Sequence, residues 1–383
     1  MAEGLTVDLL IAAMWCGLFG FLVARRVLPL PLALSVVFAK VMIPVVYFAW
    51  FFDGTWTFLD DTAYLDQGRE MLQLGYTPLT ALAGMKGIRQ MMSLSHGVHF
   101  LYGWWNLLAQ YLFGVHYYSA ILLNVVVTFI CGLFSIHLLR ELKFDEQYQR
   151  WFMLFFLLHW DVLAWSSFTN LKDVVVMMLT CASLLLLVKF FARPRLLTLV
   201  LCGLVLFIFS WIRFYLPFLI LIVAGLWVFS QWHNRRKYFL IPVILVTFYL
   251  IFPWRSSELA FVQPAGFIGG ILRFPLTPRF WNVEANYSFL SFPAIMHWML
   301  FLPMFSAGFH LWRAYPLARL PLMYLAVFFA FYSVVPEVQD PRHRVQITFL
   351  LAWLQFHFLW TIVKGSAAYS VLPGSGREAG GGQ

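Results

Sequence analysis

Charge is scarce in this 383-residue chain: Asp, Glu, Lys and Arg make up 11% of it, against 62% hydrophobic residues. An ordinary soluble domain carries about a quarter charged residues, so that class is excluded. Alternating period-two apolar segments are also missing, which excludes a transmembrane barrel. The few cysteines (Cys16, Cys131, Cys181, Cys202) fall inside apolar runs without a CxxC spacing. Neither a disulfide framework nor a zinc site is indicated, and all four read as packing residues. His96, His99, His297 and His343 show no HxxxH or HExxH spacing, so the pattern gives no histidine metal site. No internal repeat is visible. The net charge of +9 is spread over short loops instead of one patch, which argues against nucleic acid and for membrane orientation.

What is abundant is apolar length. With 41 Phe, 17 Trp and a mean hydropathy of +0.79, the chain reads as a polytopic membrane protein, all-α, a transmembrane helix bundle. Many runs come close to the ~20 residues a helix needs to cross the hydrocarbon layer. Eleven spans are expected: Val7 to Val23, Leu28 to Phe52, Tyr118 to Leu139, Trp151 to Phe168, Val174 to Phe191, Leu196 to Trp211, Phe214 to Phe229, Phe239 to Phe252, Phe292 to Trp312, Leu317 to Val335 and Val345 to Val363. Together they form one domain over residues 1–363, with a Gly-rich, disordered tail over 364–383. Lys40 lies mid-span, where a charge costs about 2.5–3.5 kcal/mol on insertion scales, so it should turn into the bundle.

Loop charges orient these spans. Leu94 to Phe113 mixes aromatic residues with Asn106 and Gln110 and is expected to lie along the interface, with Trp104 and Trp105 at headgroup level. Under that assignment one side collects Arg25/Arg26, Arg140/Lys143/Arg150, Lys189/Arg193/Arg195, Arg235/Arg236/Lys237, Arg313/Arg319 and Lys364/Arg377, against only Glu141, Asp145, Glu146 and Glu378. The positive side is the cytoplasm, which places the N-terminus outside and the tail inside. Two loops then face outward: an acidic one over 53–95 and a late one over 254–290, whose apolar stretch with Pro275 and Pro278 suits a cover over a cavity.

Chemistry concentrates on that outer side. Phe58 to Arg69 packs Asp60, Asp61 and Asp66 into twelve residues, which reads as the acidic half of an active site beside a lipid-borne substrate or as a solvated acidic loop without chemistry. Lys172-Asp173 interrupts an apolar stretch; it suits a phosphate-binding cation beside a carboxylate, or an edge pair at a helix start. Arg213 reads either as a phosphate ligand, its forked donors matching phosphate oxygens, or as an interfacial anchor beside Trp211 and Tyr215. Glu337-Val-Gln-Asp-Pro-Arg342-His343-Arg344 is the densest cationic cluster on this face and runs against the positive-inside bias; it reads as a site for an anionic leaving group or as a loop salt-bridge knot among Glu337, Asp340, Arg342 and Arg344. A divalent metal (Mg or Mn) is left open, since the carboxylates of Asp60, Asp61 and Glu337 suit such an ion.

These pieces, in order, resemble the GT-C superfamily of polytopic glycosyltransferases, which includes protein O-mannosyltransferases and aminoarabinose transferases of lipid A. Asp60-Asp61-Thr-Ala-Tyr64-Leu-Asp66 is similar to the acidic motif of the family's first external loop, and Leu101-Tyr102-Gly-Trp104-Trp105 to Phe113-Gly114 resembles the stretch that follows. Trp165-Ser-Ser-Phe-Thr-Asn-Leu-Lys172-Asp173 resembles the second external loop, and Arg342-His-Arg344 the late basic motif. Two departures stand out: two spans precede the acidic loop where the family has one, and no soluble domain follows the last span.

The resemblance implies transfer of a sugar from a polyprenyl-phosphate-linked donor, at the external face of a membrane that for this type is the bacterial inner membrane. The acceptor is left open among lipid, glycan and protein. It implies Asp60 or Asp61 as general base, Lys172, Arg213, Arg342 and Arg344 on the departing phosphate, and Asp66, Asp173, His343 and Glu337 in support. The nearest alternatives are an envelope polysaccharide polymerase or ligase using lipid-pyrophosphate glycans, and a transporter or flippase. The last would carry charges mid-membrane on broken helices, with Lys40 and Asp161 as its candidates.

Overall fold

A computed structural model describes residues 4–95, 99–231, 267–334 and 340–364. Among these every regular element is a helix apart from a lone Arg279–Asn282 bridge, and seven helical stretches are long and apolar enough to cross a membrane. They are Val7–Ala24 (α1), Leu30–Phe51 (α2 with a π-helical end), Tyr117–Glu141 (α7), Asp173–Ala192 (α10), Ala285–Ala314 (containing α14, Ser291–Ala314), Pro316–Val334 (containing α15, Arg319–Val334) and Pro341–Lys364. The chain is thus an integral, multi-pass helical membrane protein.

A further expected span falls on a bent helix pair. Glu146–Leu157 (α8) and Trp160–Phe168 (α9) fill the expected span from Trp151 to Phe168 but meet at a 43° bend. The cause is local: His159 caps α9 by accepting the backbone N–H of Asp161 at 3.3 Å, so a side chain replaces part of the helical ladder. Two further expected spans fall on shorter helices, Leu196–Ser210 (α11) and Leu216–Gln231 (α12). At about 1.5 Å per residue each covers less than the ~30 Å hydrocarbon layer. The count of eleven full spans is corrected accordingly. The expected span from Phe239 to Phe252, the first part of loop 254–290, and the tail beyond Lys364 lie outside the described residues; the described part of that loop opens with the helix Phe267–Arg273 (α13).

Between α2 and α7 four helices form a separate layer: Leu59–Gln73 (α3), Pro78–Ala83 (α4), Met85–Leu94 (α5) and Phe100–Phe113 (α6). Fourteen residues make α6 about 21 Å long, too short to cross. Its two tryptophans are tied inward: Trp104 donates to the Pro78 carbonyl at 2.8 Å and Trp105 to Asn124 Oδ1 of α7 at 3.0 Å. α3 lies directly on α6, because a Cβ on Gly68 would stand 2.9 Å from the Asn106 and Leu107 backbone. Only a residue without a side chain permits that approach. Met71, Ala81, Met91, Phe100 and Leu107 give the layer its own small apolar core, while the main core runs from Leu9 to Phe356.

The layer marks one end of the bundle. Thr6 bonds Tyr118 at 2.9 Å, so α1 starts beside the start of α7, at this same end. At the other end Lys364 donates to Gln147 and Arg140 to Gln149, which brings together loops that the charge count had grouped. Lys40 turns inward as expected: it is fully buried and donates to Ser166 Oγ at 3.2 Å.

Candidate functional site

Four segments far apart in sequence meet at the α3–α6 end. Asp60 occupies the first turn of α3, where the helix dipole favours a carboxylate. Its Oδ2 accepts from Arg342 Nη1 at 2.7 Å. Arg342 sits on the four-residue helix Pro341–Arg344 (α16), just before Thr348–Lys364 (α17). Asp340 caps α16 by accepting the Arg342 backbone N–H at 2.9 Å, and its other oxygen lies 3.4 Å from Arg342 Nε and accepts from Tyr287 at 2.6 Å. Asp60 and Arg342 keep 44% and 28% of their side-chain surface exposed, so an incoming group can reach this pair.

Behind it lies a dry layer. Lys172 is buried and donates to the Tyr64 hydroxyl of α3, with its ammonium 5.0 Å from that ring. Burial lowers Lys172 to about 7, helped by Arg213 and Arg342 and opposed by Asp173 and Asp60. Next to it Arg213 pairs with Asp173 at 3.1 Å and donates to Tyr215 at 2.6 Å. Gln346 donates to the same Asp173 oxygen at 2.7 Å, and Tyr332 donates to Gln346. Arg213 thus pairs with Asp173 and Arg342 with Asp60 and Asp340, while Lys172 lies within the electrostatic influence of Asp60, Asp173, Arg213 and Arg342. His99 also borders these charges. Burial, Lys172 and Arg213 hold His99 at about 3, so the ring is neutral and its Nδ1–H donates to the Ile212 carbonyl at 2.5 Å.

The neighbouring carboxylate does something else. Asp61 is fully buried, accepts from Tyr117 at 2.5 Å and from the Phe58 backbone N–H at 3.3 Å, and closes the N-terminus of α3. Burial pushes it up to about 7 against the lowering effect of those bonds. A carboxyl raised on folding stabilises the fold most below its unfolded value near 4, and that contribution is lost as pH rises through 7. The melting temperature of the wild type should therefore fall between pH 5 and pH 7 more steeply than that of Asp61→Asn, in the same detergent. Parallel curves for the two proteins would place the titration elsewhere.

The remaining sequence candidates divide. Arg344 is separated from Arg342: it is 1% exposed, pairs with Asp161 at 3.1 Å, and donates to the Pro275 and Thr277 carbonyls. It is therefore a buried tie between α9, α16 and the loop before α14, not a second exposed cation. Asp66 pairs instead with Arg69 at 3.2 Å on an exposed face of α3. His343 is buried with its ring 5.3 Å from that of Tyr332. Glu337 lies outside the described residues. Among the described residues no group of three or more His, Cys, Asp or Glu is placed to hold a metal.

Sequence reasoning missed an amide hub under the cluster. Asn170 donates to Asn106 Oδ1 at 2.7 Å and to the Asp61 carbonyl at 3.3 Å, and accepts from Tyr102 at 2.9 Å. Asn124 donates to the Tyr102 hydroxyl and the Leu171 carbonyl. These bonds fix segment 169–172, and hence Lys172, against α3, α6 and α7. The signal available was an asparagine buried within an apolar run, which is costly unless satisfied.

An apolar wall adjoins the charged cluster. Phe58 packs on Trp165 and Tyr287, while Trp56 packs on Phe168 and Phe289 and donates to Ser288 at 2.8 Å. Trp56 and Phe168 of this wall also line a cavity of about 450 Å³, together with Met42, Ile43, Tyr47 and Phe51 among others. The class that fold and site define is a multi-pass helical membrane protein with a mixed-charge cluster at one end of its bundle. No family model, curated protein or solved structure matches the chain.

Proposed function

We propose that the chain is a membrane glycosyltransferase of GT-C type, taking a sugar from a polyprenyl-phosphate donor to an acceptor hydroxyl at the external membrane face. The observation that carries this reading is the Asp60–Arg342 pair, which joins residues 282 positions apart and brings the acidic loop against the late basic motif beside Lys172. Arg342 is suited to meet a phosphodiester, with the buried Lys172 behind it adding positive potential; Asp60 is the exposed carboxylate, whereas Asp61 is enclosed. In the resting protein Asp60 is held by Arg342. A donor phosphate taking Arg342 frees Asp60 to accept the proton of the acceptor hydroxyl. The acceptor oxygen then bonds the anomeric carbon while the carbon–oxygen bond to phosphate breaks, and the lipid phosphate leaves with that electron pair. Arg213, held by Asp173, and Arg344, held by Asp161, act as supports rather than ligands. The apolar cavity beside Trp56 suits an isoprenoid chain.

The test is transfer from a polyprenyl-phosphate sugar by purified protein, read with donor binding. Arg342→Gln should weaken donor binding about tenfold or more and also slow turnover, because its charge meets the phosphate before and during departure. Unchanged binding and turnover would remove Arg342 from the site.

A second reading, a transporter or flippase, is favoured by the interior of the bundle. Asp161 follows the 43° break directly and pairs with Arg344, Lys40 is fully buried, and a cavity of about 390 Å³ borders His159 and Trp160. Ionisable groups at such a break mark substrate paths in many transporters. Lipid-linked sugar crossing a vesicle bilayer without hydrolysis or transfer would favour this reading over the enzyme.

A further inference from the structure

The α4–α5 hairpin has satisfied its interior and still presents apolar residues outward. Pro78 and Ala81 of α4 and Gly87 and Met91 of α5 face the small core of the α3–α6 layer. On the outside stand Leu79, 81% exposed, with Leu82 and Met85, also exposed. Lys86 and Arg89 follow immediately, both exposed. Neither cation has an ion-pair or hydrogen-bond partner among the described residues. An apolar tip followed within one turn by two unpaired cations is the pattern of a surface-seated helix, with apolar groups among acyl chains and cationic heads among phosphates.

The hairpin is built rather than loose. A Cβ on Gly87 would stand 2.5 Å from the Ala81 carbonyl oxygen, so the two helices touch backbone to backbone. Thr77 caps α4 by accepting the Thr80 N–H at 3.2 Å, and Trp104 of α6 holds the Pro78 carbonyl. Its outward residues are therefore fixed in place. The layer it belongs to joins two membrane-crossing helices, α2 and α7, so a bilayer surface is its unavoidable neighbour.

We infer that Leu79, Leu82 and Met85 insert at the bilayer surface while Lys86 and Arg89 bind the phosphates of anionic phospholipid headgroups. The charge complementarity selects the occupant: an unpaired cationic pair beside a small apolar tip fits an anionic lipid surface better than an apolar protein groove. This inference concerns a surface apart from the Asp60–Arg342 site and stands whether or not sugar transfer is found.

The test uses full-length protein in nanodiscs of phosphatidylcholine, with or without phosphatidylglycerol. The four native thiols are buried, so a fluorophore can be directed to Leu79→Cys or Leu82→Cys. Brominated acyl chains should quench the label and aqueous iodide should not, with bromine quenching several-fold stronger when phosphatidylglycerol is present. Lys86→Glu combined with Arg89→Glu should abolish that dependence on lipid charge without altering the melting temperature. Quenching by iodide alone in both lipids would overturn the inference, as would bromine quenching indifferent to lipid charge. Shielding from both quenchers by a copurifying protein would overturn it in favour of a protein partner.

Discussion

Asp60→Asn is expected to lower sugar transfer by about 10²–10⁴-fold while donor binding survives, since a positioned base contributes roughly that much and the amide keeps the shape. Donor binding should even tighten, because Asn releases Arg342 from the ion pair that a phosphate must otherwise displace. Few other roles for Asp60 give this combination. A carboxylate serving only to hold Arg342 would, on replacement, free Arg342 for the donor without a loss of turnover of this size. Asp61→Asn provides the contrast: its carboxyl is enclosed by Tyr117 and the Phe58 amide, so it should act on stability and its pH dependence first. Transfer rate and donor affinity measured on the two single variants decide the matter, and wild-type turnover in Asp60→Asn would remove the central residue of the enzyme reading.

The largest effect on stability is expected at Asp161. Replacement by Ala leaves Arg344 with a charge that is 1% exposed and only carbonyl partners, and breaking a buried pair from one side costs about 3–5 kcal/mol. Removing both charges together, as in Asp161→Leu with Arg344→Met, should restore most of that loss, because a well-packed apolar pair avoids the desolvation of both ions. Thermal unfolding in detergent of the single and double variants would show it. If Asp161→Ala melts with the wild type, the interior pair is not what ties α9 to α16.

Much of this architecture was legible in the sequence, for physical reasons that differ by residue. Apolar run length located the crossings, because the hydrocarbon thickness sets it, and the acidic and basic pieces were each visible against so little charge. What escaped was rotation about a helix. Arg342 and Arg344 read as one cationic cluster, yet residues two apart on a helix do not face the same way, so one meets Asp60 and the other Asp161. The same rule splits Asp60 from Asp61. The break at His159 escaped because its cause is a side chain replacing a backbone bond, which periodicity does not register. Tyr102, Asn124 and Asn170 escaped because their partners lie on different helices, and only the fold makes them neighbours.

The close seating of α3 on α6 at Gly68 bears on how this protein can vary. Asp60 rides eight residues upstream on the same helix, roughly 12 Å along a stiff rod at 1.5 Å per residue. A methyl at Gly68 would have no room against the Asn106 and Leu107 backbone, so it would act as a wedge at one end of that rod and swing the other. The carboxylate's reach toward Arg342 is therefore set in part by an atom that is missing at a distant contact. Natural drift at this position would be filtered by alignment of the charged cluster, although the position itself touches neither Asp60 nor Arg342.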